Sequence, residues 1–125
     1  MPQYFSVAEA NAALLVIKPL MAEIMRIRQD ILSRQPEIWP VVQKAAGNGG
    51  SPLASKMALE FGRLDDYVHQ ILEMGVILKD LNIGLLDFPA WRDEHEVYLC
   101  WKFGEESVTF WHEVDDGFAG RQPLD

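Results

Sequence analysis

The stretch LCWKFGEESVTFWHEVDDGFAGR, residues 99–121, gathers Cys100, His112 and the acids Glu105, Glu106, Glu113, Asp115 and Asp116, followed by Arg121 in a turn marked by Gly117 and Gly120. Asp87, in LLDFPAW upstream, adds one more carboxylate. Such a set is open to three kinds of chemistry. A thiol within hydrogen-bond reach of an imidazole makes an activated nucleophile. An imidazole joined by carboxylates holds Zn, Mn or Fe when three or more donors converge. Backbone amides of a glycine turn, helped by an arginine, cradle a carboxylate or phosphate.

Which of these is possible depends on how the strands carrying the residues align. EVYLCWKF and SVTFWHEV flank Gly104 as two short apolar runs. A two-residue loop of Gly104 and Glu105 suits a type II′ turn, because glycine takes the positive φ at its first position. It pairs Trp101 with Val108, Leu99 with Phe110 and Val97 with His112. The strongly apolar positions then share one face, and Tyr98, Cys100, Lys102, Thr109 and Trp111 share the other; a slip of one residue mixes the two sets. On this register Cys100 and His112 stand on opposite faces, which sets a Cys/His hydrolase aside. Ser107 and His112, five residues apart on one strand, are separated by roughly 16 Å. Cys100 reads as a small buried or half-buried hydrophobe.

The metal reading rests on Asp87, Glu105, His112, Glu113, Asp115 and Asp116. There is no HExxH, no CxxC and no EF-hand loop, and His112 and Glu113 as neighbours on a strand point to opposite faces. A site for a divalent metal would draw on His112, Asp87 and Glu113, or Glu105 in its place; the structural alternative is a core or semi-buried His112 hydrogen-bonded by a carboxylate such as Asp87. In GFAGR, Asp115 and Asp116 would repel an anion, so Arg121 is expected to pair with one of the acids and lock the C-terminus onto the sheet. The stretch has neither the third glycine of a dinucleotide fingerprint nor the Lys-Ser/Thr of a phosphate loop.

The elements that position these residues fall into two halves. Ser6 with Glu9 forms a capping box, and Leu14, Ile17, Met21, Ile24, Ile27 and Ile31 follow at steps of three and four, one apolar stripe of a helix. Pro19 is expected to kink or restart it near Lys18. Ile38 and Trp39, between Pro36 and Pro40, allow a short helical piece over 37–46 before AAGNGGSP breaks the chain. Ser51 and Pro52 fit the start of a second long helix, with the stripe Met57, Phe61, Leu64, Val68 and Ile71, ended by Gly75; His69 beside it reads as a surface residue. The period then shortens, with strands expected at 76–80 and 84–91 ahead of the hairpin about Gly104. The fold class is α+β: an antiparallel pair of long helices in residues 1–75, packed on a C-terminal antiparallel meander of three to four strands in residues 76–125, all one domain.

Size and charge bound the possible functions. A chain of 125 residues and 14.2 kDa folds to roughly 6,800 Å² of surface from about 20,600 Å², enough burial for a core without staples. One cysteine excludes an internal disulfide. Residues 1–63 carry seven Lys/Arg and five Asp/Glu, while residues 64–125 carry four and fourteen, so +2 and −10 sum to the net −8. Clustered basic residues for a phosphate backbone are lacking, and nucleic acid is not an expected partner. MPQYFSVAEAN has no signal-peptide pattern and no apolar run reaches the roughly 20 residues of a membrane span, so the protein is expected to be cytoplasmic and not to engage a membrane.

FSVAEAN at 5–11, GVILKDLNIGLLDFPA at 75–90, EVYLCWKFGEE at 96–106 and FWHEVDDGFAGRQPL at 110–124 together resemble the uncharacterised bacterial family known as domain of unknown function 2203. The family name assigns no activity. The resemblance implies that interest concentrates in Asp87, Phe88, Pro89, Cys100, Trp101, Glu105, Trp111, His112, Glu113, Gly117, Gly120 and Arg121. Two functions are weighed. The first is a non-catalytic binding or assembly module, homodimeric through the N-terminal helix or through a sheet face bearing Tyr98, Trp111 and Trp91, with Asp87, Glu105, His112, Arg121, Trp111 and Tyr98 as candidate binding residues. The second is a metal-dependent hydrolase built on the acidic and His cluster.

Overall fold

A computed structural model describes residues 3–46 and 58–124, without the side chains of 58–61. Helix α1, Val7–Arg34, begins where the capping box forms: the Ser6 hydroxyl accepts from the Glu9 amide at 3.0 Å and the Glu9 carboxylate accepts from the Ser6 amide at 2.8 Å. Ala10, Leu14, Ile17, Met21, Ile24, Ile27 and Ile31 are all buried along one face. Pro19 does not restart the helix, which runs through it as one element. It sits on the exposed face, where water can take up the carbonyl its missing N–H leaves free. After a 3₁₀ turn at Pro36–Ile38, helix α2, Trp39–Ala45, is anchored by Trp39, whose Nε1 donates to Asn82 Oδ1 at 2.7 Å. Helix α3, Ala58–Glu73, buries Leu64, Val68 and Ile71. The expected start at Ser51 and Pro52, with Met57 and the Phe61 side chain, lies outside the described residues. Among the described residues no helix is long and apolar enough to cross a membrane.

Five strands follow as an antiparallel meander in sequence order: β1 Ile77–Asp80, β2 Leu85–Arg92, β3 His95–Lys102, β4 Phe110–Glu113 and β5 Gln122–Pro123. The α+β class holds, with a third, short helix and more strands than the three to four expected. Pro89 is tolerated in the long strand β2 because pairing with β1 stops at Asp87. Beyond that point β2 is an edge on the β1 side, where a proline costs no ladder bond. The N-terminal segment meets that edge, as the Phe5 amide donates to the Pro89 carbonyl at 2.7 Å. One core cluster joins the buried faces of the helices to Leu86, Phe88, Ala90, Val97, Leu99, Trp101 and Trp111 of the sheet.

The β3–β4 alignment differs from the expected one by a single residue. Val97 pairs with Glu113, Tyr98 with His112, Leu99 with Trp111 and Cys100 with Phe110. The chain does turn at Gly104, with φ of +103° and the Glu105 amide donating to the Lys102 carbonyl, but it does not re-enter the ladder until Phe110. Glu105 folds back instead, its carboxylate accepting from the Lys102 amide at 2.7 Å and its carbonyl from Trp101 Nε1 at 3.0 Å. Val108 is drawn into the core by Asn11 of α1, whose Oδ1 accepts from the Val108 amide at 2.7 Å and whose Nδ2 donates back to the Val108 carbonyl. The loop is a docked element, and its length shifts β4 by one. As a consequence Trp111 faces the helices and Phe110 and His112 face outward with Cys100, the reverse of the expectation for Phe110, Trp111 and His112.

The β2–β3 hairpin closes through Asp93 and Glu94, both left-handed at φ of +50° and +67°. A left-handed side-chain-bearing residue costs roughly 1–2 kcal/mol, and glycine removes that cost at about 0.5–1 kcal/mol of its own entropy. Glu94→Gly is therefore expected to stabilise the protein by about 0.5–1 kcal/mol, read as a higher urea midpoint at unchanged slope; a lower midpoint would contradict this account of the turn.

Candidate functional site

Strand alternation and the registers place Asp87 of β2, Tyr98 and Cys100 of β3 and Phe110 and His112 of β4 on the face of the sheet away from the helices. Cys100 lies directly opposite both Asp87 and Phe110, and His112 directly opposite Tyr98, so thiol and imidazole are diagonal neighbours. One ligand atom from each of Asp87, Cys100 and His112 lies within 4.8 Å of the others. The separation on opposite faces that set thiol chemistry aside does not exist.

This face is not open to water at its centre. Asp87 and Cys100 are fully buried and His112 is 1% exposed. Tyr98 packs edge-on against the imidazole at 5.6 Å between centroids. The C-terminal segment returns over the sheet: β5 pairs with β4, and the Leu124 amide donates to the Thr109 carbonyl. Arg121 lies over the rings of Phe110 and Phe118, 4.0 and 4.8 Å from their centroids, and donates to both carboxylate oxygens of Glu105 at 2.7 and 2.8 Å. The expected lock of Arg121 onto an acid is thus made with Glu105. Gly120 is required at the turn before it, since a Cβ there would stand 2.5 Å from the Asp116 Cβ.

The protonation of the buried group follows from its partners. His112 Nδ1 lies 2.7 Å from the Glu113 carbonyl, which can only accept, so the ring donates there. Nε2 lies 2.9 Å from Asp87 Oδ1, a contact that holds a second proton. The imidazole and carboxyl together are then neutral, the form in which such a pair is least costly to bury. Among the described residues Asp87 Oδ2 has no hydrogen-bond partner of normal geometry. Cys100 is pushed up to about 12 by burial first, then by the Asp87 charge and a thiol contact to that carboxylate, with Arg121 opposing. As the protein stands, Cys100 is a protonated thiol and not a nucleophile. Burial and the Asp87 and Glu96 charges also raise Tyr98.

Of the residues singled out from the sequence, the structure brings Asp87 and His112 into contact, sets Tyr98 against His112, and pairs Glu105 with Arg121 beside them. Trp111 is elsewhere, on the helix side of the sheet under the Arg92 guanidinium at 4.8 Å. Glu113 also leaves the group: it points to the opposite face and binds His95 Nε2 at 2.7 Å, so the set His112, Asp87 and Glu113 is not a ligand triad. Cys100 takes its place. The signal for it was the alternation Tyr98, Cys100, Lys102, which required the observed register to meet His112.

The chain belongs to the family of uncharacterised conserved proteins DUF2203, whose model matches residues 3–124. No curated protein and no solved structure matches it.

With the thiol buried and its pKa raised, Cys100 in the folded protein is expected to react with Ellman's reagent at pH 8 at least about 100-fold more slowly than in urea. Comparable rates in the two states would contradict the burial described.

Proposed function

We propose that this member of DUF2203 is a non-catalytic assembly module that pairs with a second copy of itself through the outer face of α1. The observation that carries the reading is that α1 is apolar on two sides. Opposite its core stripe, Ala8, Ala12, Leu15, Pro19 and Ala22 recur at steps of four and three and are all exposed. Leu15 is 80% exposed, and its neighbour Val16 is 53% exposed. A helix that serves only a monomer's core keeps its outer face polar.

The charges along this stretch are already engaged. Glu9 is held in the capping box, and Lys18 reaches to the Glu106 carbonyl. That leaves a band about 21 Å long without a free charge. It is nearly symmetric about Leu15, with Ala8 seven positions before it and Ala22 seven after. Antiparallel packing about a two-fold axis therefore sets Leu15 against Leu15 and each Ala8 near the partner's Ala22, the self-complementarity a closed dimer needs. The small residues at both ends let two helices approach closely. The sealed, neutral state of Asp87, Cys100 and His112 supports a binding rather than a reacting role for the sheet.

Light scattering at tens of micromolar protein is expected to give twice 14.2 kDa. Leu15→Glu is expected to halve that mass while leaving the far-UV spectrum unchanged, because the position is exposed. A monomeric wild-type chain at that concentration would overturn the reading.

A further inference from the structure

We propose that Asp87, Cys100 and His112 form a site for one divalent transition-metal ion of intermediate softness, with Zn²⁺ the best match. The three donors are a carboxylate oxygen, a sulfur and an imidazole nitrogen, supplied by three adjacent strands of one sheet. This mixture suits zinc and its neighbours in preference to Mg²⁺ or Ca²⁺, which require oxygen. Tetrahedral zinc at about 2.0–2.3 Å from each donor sets the donors roughly 3.3–3.6 Å apart. Atoms already within 4.8 Å of one another stand close to that spacing before an ion is bound.

Two further features point to a cation independently of the donor types. Asp87 Oδ2 belongs to a fully buried side chain and, among the described residues, has no hydrogen-bond partner of normal geometry, a state in which buried acceptors are seldom left. His112 is oriented as a metal-bound histidine is, one ring nitrogen donating to a backbone carbonyl while the other faces the donor cluster. The neighbouring positive charge of Arg121 does not oppose a cation, because Glu105 neutralises it. On binding, the ion replaces the thiol proton of Cys100 and the proton between Asp87 and His112, both released to water.

The test uses the full chain, stripped with chelator and titrated with Co²⁺ as the probe. One Co²⁺ per chain is expected, with a near-ultraviolet thiolate-to-cobalt charge-transfer band and tetrahedral visible bands, both abolished by Zn²⁺. Cys100→Ser is expected to lose the charge-transfer band, and Asp87→Asn to weaken binding by about 10–100-fold. Because these positions are buried, X-ray absorption on the zinc-loaded wild-type chain decides without a variant: one sulfur with nitrogen and oxygen neighbours supports the site. A first shell without sulfur, or no spectral change with Co²⁺ at 100-fold excess, overturns it.

Discussion

The contact between Asn11 and Val108 governs the chemistry of the sheet. Asn11 uses both ends of its amide to hold the backbone of Val108, satisfying two groups that a loop entering the core would otherwise leave costly. With Val108 pinned to α1, the chain between β3 and β4 cannot close as a tight two-residue turn. It makes one turn at Gly104, caps itself with Glu105, crosses to the helix and returns to the ladder at Phe110. Because side chains alternate with a period of two, this excursion decides which of Trp111 and His112 enters the core. It therefore decides that the thiol, the imidazole and the Asp87 carboxylate meet.

The face so formed is unusual for the outer side of a small sheet, which ordinarily carries solvated polar residues. Here its centre is a neutral, hydrogen-bonded pair with a protonated thiol, roofed by aromatic rings and a guanidinium. Glu105 is the hub of that roof: one carboxylate holds the Lys102 amide in the hairpin and the Arg121 side chain in the tail. The same acid thus couples the turn that sets the register to the segment that seals the site. Gly120 has its role in this arrangement, since only its missing Cβ lets the tail pass Asp116.

α1 presents three distinct surfaces around its circumference. Its buried stripe forms the core, Asn11 and Lys18 fasten the β3–β4 connection, and its outer band of alanines about Leu15 is left apolar. Pro19 is compatible with all three, because it falls on the outer band, where it is exposed and no described element of the same chain depends on the hydrogen bond it removes.

The residues themselves determined the helices, through the capping box at Ser6 and Glu9 and the three- and four-residue spacing of large aliphatics, both local signals. They also determined the class of the fold, the change of period after Gly75, the company of His112 with Asp87 and the pairing of Arg121 with an acid. Tertiary structure alone decided the register of β4, because the partner that sets it, Asn11, is 97 residues from Val108 and no local pattern encodes their meeting. For the same reason the sequence places Cys100 on the face away from His112 and Glu113 among the candidate ligands, whereas the observed register brings the thiol to the imidazole and turns Glu113 away. The fifth strand was equally hidden: Gln122 and Pro123 have no strand periodicity of their own, and they pair with β4 because Arg121 and Glu105 bring them there.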